Sequence, residues 1–198
     1  VASADVATAG VVLAGGASRR FGSAKSAALL AGRPLIEYPI AAMREAGLPV
    51  IVVAKADNDL AQLIGETPLL LEPDEPRHPL RGIVSALEHV GGAIVVCACD
   101  MPFVSASVVG MLARLDDPVA VAAVGGMPQP MLGRYDQSVL PLLRAALEGE
   151  HSVRRSLSDA GARLLGPEEL APYGDPEWLA FDVDTQEELE RAERHLAR

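Results

Sequence analysis

Between Leu13 and Lys25 the chain reads LAGGASRRFGSAK, a set of residue types suited to holding a polyanion. Gly15 and Gly16 have no Cβ, so backbone N–H groups there can approach an oxyanion closely. Arg19, Arg20 and Lys25 place three cations within seven residues of a chain whose net charge is −10. A helix is expected to begin near Ser26, and its N-terminus would add a partial positive charge beside them. Polyphosphate is the guest this arrangement favours, although a glycine-rich turn with solvated basic residues has the same composition. A second chemical group lies far along the chain. The apolar run 93–99 ends on Asp100-Met101-Pro102, which puts a carboxylate at the tip of a strand that proline then stops. A hard divalent cation such as Mg²⁺ takes such an oxygen ligand, and the competing reading is a turn cap.

Two common phosphate motifs do not fit. A Walker loop needs lysine directly after its last glycine, whereas Ser23 follows Gly22 and Lys25 comes three residues past that glycine. The dinucleotide fingerprint G-x-G-x-x-G is not supplied by Gly15-Gly16 followed by Arg19-Arg20. Cys97 and Cys99 share a strand face by their spacing, and with four scattered histidines they make no zinc set, so both are read as reduced core thiols. No Ser-His-Asp or Cys-His arrangement stands out.

Short Val/Ile-rich runs at 10–14, 50–54, 68–71, 93–99 and 119–124 alternate with amphipathic stretches of helical length at 35–46, 82–90, 105–115, 139–147 and 153–157. This rhythm predicts an α/β fold, a single Rossmann-like, doubly wound, mostly parallel sheet. With 198 residues, 49% of them hydrophobic, one domain over 1–198 is expected, about residues 1–8 being a tail. In such sheets the loops after the strands line the ligand crevice. The loop 72–79, with three prolines and three acids, should therefore face the basic loop, and Asp74 is a candidate acceptor for a base or ribose. Near the C-terminus, 180–184 reads as a short strand with Asp182 and Asp184 on one face, followed by a helix to His195. If that face meets Asp100, Asp184 becomes a second metal ligand; otherwise Asp184 or Thr185 caps the helix. Arg154-Arg155 is either a phosphate-binding pair or a solvated face.

The loop LAGGASRRFGSAK resembles the signature LAGGxSRRMGxDK of the molybdenum cofactor guanylyltransferases (the MobA family) among the nucleotide-sugar-type nucleotidyltransferases. Phe21 stands in place of Met and Ala24 in place of Asp. Further likenesses follow in the same order along the chain: PLRGI at 79–83 with GPLxGI, CACDMPFV at 97–104 with PCDxPFV, QPMLGRY at 129–135 with QPLxGLY, and DVDT at 182–185 with NVNT. His78 stands where that family has Gly, Ala54-Lys55 replaces its Asn after strand two, and Asp182 and Asp184 replace Asn.

The resemblance implies a cytoplasmic, Mg²⁺-dependent transferase with GTP as donor, molybdopterin as acceptor, and molybdopterin guanine dinucleotide and pyrophosphate as products. Leu13, Ala14, Gly15, Gly16, Lys25, Asp74, Gly82 and Asp100 would bind the nucleotide, with Gly82 letting a helix start come close to it. Arg19, Lys25 and Asp100 would act in the chemistry, and Asp100 with Asp184 would hold the metal. Other proteins of molybdenum cofactor assembly are implied as transient partners. Two alternatives are a transferase using CTP or another triphosphate on a different phosphorylated acceptor, and an idle nucleotide-binding module. The acidic balance argues against nucleic acid or an anionic membrane as partner. No apolar run reaches the roughly 18 residues of a membrane span, and the first ten residues do not resemble a signal peptide.

Overall fold

The computed structural model describes residues 8–14, 27–55, 60–73, 75 and 78–197. In chain order the elements are β1 (Ala9–Leu13), β2 (Leu29–Leu30), β3 (Arg33–Pro34), α1 (Glu37–Glu45), β4 (Val50–Lys55), α2 (Ala61–Ile64), β5 (Leu69–Glu72) and α3 (Arg81–Val90). There follow β6 (Ile94–Ala98), α4 (Ala106–Ala113), β7 (Val119–Val124), β8 (Met127–Tyr135), α5 (Leu140–Glu148), α6 (Val153–Asp159), β9 (Arg163–Leu165), α7 (Pro167–Leu170), α8 (Pro176–Leu179) and α9 (Gln186–Leu196).

Seven of these strands form one sheet in the order β5-β4-β1-β6-β8-β7-β9. The pairs β1/β4, β4/β5, β1/β6 and β7/β9 are parallel, and β8 runs antiparallel to both β6 and β7. The α/β, mostly parallel sheet expected from the alternation is therefore present. β1 and β6 are apolar because helices cover both faces, as the parallel centre of a sheet requires. Val12, Val95 and Cys97 pack on one face with Ile40 and Met43 of α1 and Val109 and Leu112 of α4. Val11, Ile94 and Val96 pack on the other with Ile83 and Leu87 of α3 and Leu143 of α5. Cys97 and Cys99 are both buried and neither is in a disulfide. Burial pushes the Cys97 thiol up to about 12, so it stays protonated and inert, as expected of a core thiol.

Two expectations are corrected. The helix expected from Ser26 is not formed over the described residues that follow: Leu29–Leu30 and Arg33–Pro34 pair as a tight hairpin instead. Its turn residues Ala31 and Gly32 both have positive φ, 49° and 78°, the signature of a type I′ turn. The hairpin wins because Leu30 and Leu35 become fully buried, a gain of about 1.5–3 kcal/mol for each such side chain. Residues 181–184 do not form a strand; Val183 is held by one backbone bond, described below. QPMLGRY at 129–135 lies within β8, which begins two residues before it, at Met127. The seventh strand, β9, with α7 and α8, had no period long enough to be read. Arg154 and Arg155 are exposed, and Arg155 pairs with Asp159 one turn on at 3.5 Å, which is the solvated face of the two readings.

β8 also carries an irregularity that its own sequence stabilises. Against β7, Gly133 pairs with Val121 but Gln129 pairs with the next residue, Ala122, so 130–132 bulge out. The Tyr135 hydroxyl, on a fully buried side chain, donates to the Pro130 carbonyl at 2.8 Å and holds the bulge closed. A Cβ at Gly133 would lie 2.6 Å from the Ala120 carbonyl oxygen, a backbone atom that cannot swing away. Tyr135→Phe is expected to lower unfolding free energy by about 1 kcal/mol, and Gly133→Ala by about 1–3 kcal/mol or more. Both are read as a lower urea midpoint at unchanged m-value; an unchanged midpoint in either variant contradicts the packing described.

Candidate active site

Strand order locates the crevice. From β1 the chain winds outward through β4 and β5 and then returns to β6 on the other side of β1, so the winding reverses between β1 and β6. Loops leaving adjacent strands at such a reversal diverge and open a cleft at their carboxyl ends. Leu13 pairs with Ala98 at the ends of the two strands, and the Cys99 N–H donates to the Leu13 carbonyl at 3.0 Å. Ala14 is fixed from the other side, its N–H donating to Val53 at 2.8 Å. The root of the glycine loop and Asp100 therefore leave the same edge of the sheet on neighbouring strands. Gly15, Gly16, Arg19, Lys25 and Asp74 lie outside the described residues.

Gly82, the second residue of α3, is buried where the helix crosses the ends of β1 and β5. A Cβ there would come within 2.9 Å of Leu13 Cδ2 and 3.3 Å of a Glu72 carboxylate oxygen. The glycine lets the first turn of α3 close onto the root of the loop. Glu72, which ends β5 in register with Lys55, is 7% exposed, so its carboxylate is held at the crevice edge beside Gly82. By sequence alone Glu72 falls in the acidic loop and Asp74 is the candidate acceptor. The signal available was that 69–72 continues the strand by one residue, which makes Glu72 a strand-tip acid like Asp100.

The C-terminal segment joins this edge. The Val183 N–H donates to the Asp100 carbonyl at 3.0 Å. Val183 is fully buried with Leu30, Leu35, Leu189 and Ala192 in a small core of its own. Its neighbours Asp182 and Asp184 stay outside that core, Asp182 exposed and Asp184 half-buried. The cap of α9 is Thr185: its hydroxyl oxygen accepts from the Glu188 N–H at 3.2 Å, and the Glu188 carboxylate turns back to accept from the Thr185 hydroxyl at 2.9 Å and from the Asp184 N–H at 2.8 Å. Of the two readings of Asp184, the capping role thus belongs to its neighbour. The helix after Asp100 is capped by Ser105, which accepts from Val108 at 3.2 Å.

An aromatic cluster pins the same region and was not anticipated. It contains the only Trp of the chain and two of its three Phe. Phe103, three residues past Asp100, meets Trp178 edge-on at 5.0 Å and Phe181 at 6.0 Å. Trp178 stacks on His195 of α9 at 3.6 Å. Such pairs add about 0.5–1.5 kcal/mol each beyond area burial, enough to hold 181–184 against the loop that follows β6.

Asp100 and Asp184 offer hard oxygen donors, and the nearest thiols belong to the core. Among the described residues no group of three or more His, Cys, Asp or Glu side chains forms a closed metal cage.

Comparison with known proteins agrees with this geometry. Residues 10–164 match the model of the MobA-like NTP transferase domain. A Bacillus cereus protein named probable molybdenum cofactor guanylyltransferase is 30% identical over 96% of this chain and 97% of its own length. Among solved structures, molybdopterin-guanine dinucleotide biosynthesis protein A from Archaeoglobus fulgidus superposes with a TM-score of 0.83 at 24% identity, over 96% of this chain and 99% of that one. A nucleotidyl transferase from Methanothermobacter gives 0.76 at 21% identity, over 97% and 98%. These two likenesses show the fold, and the family match covers the strands, the loop root and the Asp100 tip that build the crevice. The chain belongs to the MobA-like NTP transferase family and is a nucleotidyltransferase.

Proposed function

We propose that the protein transfers the guanylyl group of GTP to the phosphate of molybdopterin, giving molybdopterin guanine dinucleotide and pyrophosphate, in the cytoplasm. The observation that supports this reading is the hydrogen bond from Cys99 to Leu13, which joins the strand end leading into the glycine- and arginine-rich sequence to the strand tip that carries Asp100. The base and the acceptor are taken from the relatives named guanylyltransferases.

In this reading an acceptor phosphate oxygen forms a bond to the α-phosphorus of GTP while the bond from that phosphorus to the β-bridging oxygen breaks. The electron pair leaves with pyrophosphate. The acceptor is already an anion, so no side chain has to remove a proton, and the protein's work is positioning and charge neutralisation. Gly15 and Gly16 turn backbone N–H groups toward the triphosphate. Arg19 and Lys25 neutralise the charge that grows on the departing oxygens. Glu72 and Asp74 accept hydrogen bonds from the base or ribose at the crevice edge, and Gly82 leaves room for the nucleotide against α3. Asp100 and Asp184 hold a divalent cation, Mg²⁺ in this proposal, which when bound screens the phosphates and stabilises transition-state charge.

Incubation with each of the four triphosphates, Mg²⁺ and molybdopterin, followed by product mass, tests the reading. GTP consumption with formation of the guanine dinucleotide is expected. Asp182 and Asp184, which stand where the resembling guanylyltransferases have Asn, make CTP the informative competitor. A cytosine dinucleotide would overturn the base assignment, and no turnover with any triphosphate would overturn the enzymatic reading. Asp100→Ala should lower pyrophosphate release by on the order of 10²-fold or more with an unchanged far-UV spectrum, and full activity would remove Asp100 from the mechanism. Lys25→Ala is expected to lose on the order of 10²-fold in kcat; a loss under twofold would refute its role.

A further inference from the structure

His78 stands outside every role given so far, yet both of its ring nitrogens are committed. Nδ1 accepts the Leu80 N–H at 3.1 Å. Nε2 lies 2.8 Å from the His151 carbonyl oxygen, which can only accept, so Nε2 must carry the proton. The two contacts together require the neutral Nε2–H tautomer. The His78 carbonyl accepts a further hydrogen bond, from the Arg81 N–H at 3.0 Å. One residue thus receives two backbone donors at the start of α3 that no helical carbonyl can meet.

The far end of the bridge is rigid. His151 lies on the turn that closes α5, where Glu150 has a φ of 50° and the His151 N–H returns to the Ala146 carbonyl at 2.9 Å. This is a closed helix C-cap. The helix carrying that turn, α5, is joined to α3 by the Arg144–Glu88 ion pair at 2.7 Å. His78 therefore ties the last residues of the β5–α3 loop to a fixed point across the molecule. That loop follows Glu72 and leads to Gly82, beside which the Leu13 side chain and a Glu72 carboxylate oxygen both lie at the crevice edge.

We propose that His78 is a positioning residue for the nucleotide donor: by bridging Leu80 and His151 it sets the height at which the first turn of α3 meets the glycine-loop root, and so the shape of the donor-side wall. Where the resembling family carries glycine, this chain replaces backbone freedom with a two-point side-chain clamp. The inference rests on the nucleotide reading of the crevice. It differs from a structural role in what it affects, because the wall contacts bound donor while the reacting phosphates lie at the Asp100 end.

The test is calorimetric binding of GTP with Mg²⁺, together with kcat and KM, for the wild-type protein and for His78→Ala, His78→Gln and His78→Asn. Gln retains a donor for the His151 carbonyl, and Asn retains an acceptor for the Leu80 N–H. His78→Ala is expected to raise Kd and KM for GTP about five- to tenfold, the scale of one or two lost hydrogen bonds, with kcat at saturating GTP within twofold. Gln and Asn should each recover part of the loss, and they remain informative should the alanine variant fold poorly. Unchanged Kd in all three variants, or a fall in kcat with Kd unchanged, overturns the proposal while leaving the nucleotide reading intact. Wild-type protein that binds no triphosphate overturns both.

Discussion

The structure depends on the parallel ladder between β1 and β6 running to the last residue of each strand. Leu13 pairs with Ala98, and the next N–H, of Cys99, still donates to Leu13. Neighbouring strands lie about 4.8 Å apart, so two segments separated by more than eighty residues of chain leave the sheet side by side. One begins with the double glycine and the other is Asp100. Because the winding reverses between these strands, their loops diverge and leave a crevice of the kind at which open α/β sheets bind ligands.

Around that ladder the remaining elements act as supports from three directions. α3 comes in over the carboxyl ends of β1 and β5, its approach permitted by Gly82. The β2–β3 hairpin shares a small core with Val183 and α9, which joins the chain just after the basic loop to the C-terminal acidic segment. The bond from Val183 to the Asp100 carbonyl and the Phe103–Trp178–Phe181 cluster complete the arrangement. Aspartates 182 and 184 are thereby held beside Asp100 although no strand carries them.

Much of this was legible in the residues because period and burial agree there. The runs containing β1, β4, β6 and β7 are apolar throughout, which only a sheet covered on both faces explains, and their alternation with helical stretches yields the α/β class. Asp100 was legible for the same reason, since it stands where an apolar run stops, whereas Gly82 was legible only through the likeness of PLRGI to the family's segment. What escaped was decided by long-range contacts. Leu29 and Leu30 lie in an apolar-looking run that suits a helix, and only the pocket formed by Leu35, Val183 and Leu189 makes a hairpin better. β9 is three residues long with two of them exposed, so its own pattern says little; pairing to β7 creates it. Glu72 was missed by a single residue of strand length, and the His78 bridge by its partner being a backbone carbonyl 73 residues away, a contact that no side-chain pattern encodes.

The most direct test of the central claim is the position of Mn²⁺ in crystals grown with a non-hydrolysable GTP analogue, read from its anomalous scattering. The account predicts a peak within coordinating distance of an Asp100 carboxylate oxygen, with the triphosphate lying over the residues that follow Ala14. A metal-nucleotide peak at the opposite edge of the sheet, where β1 and β6 begin, would contradict it.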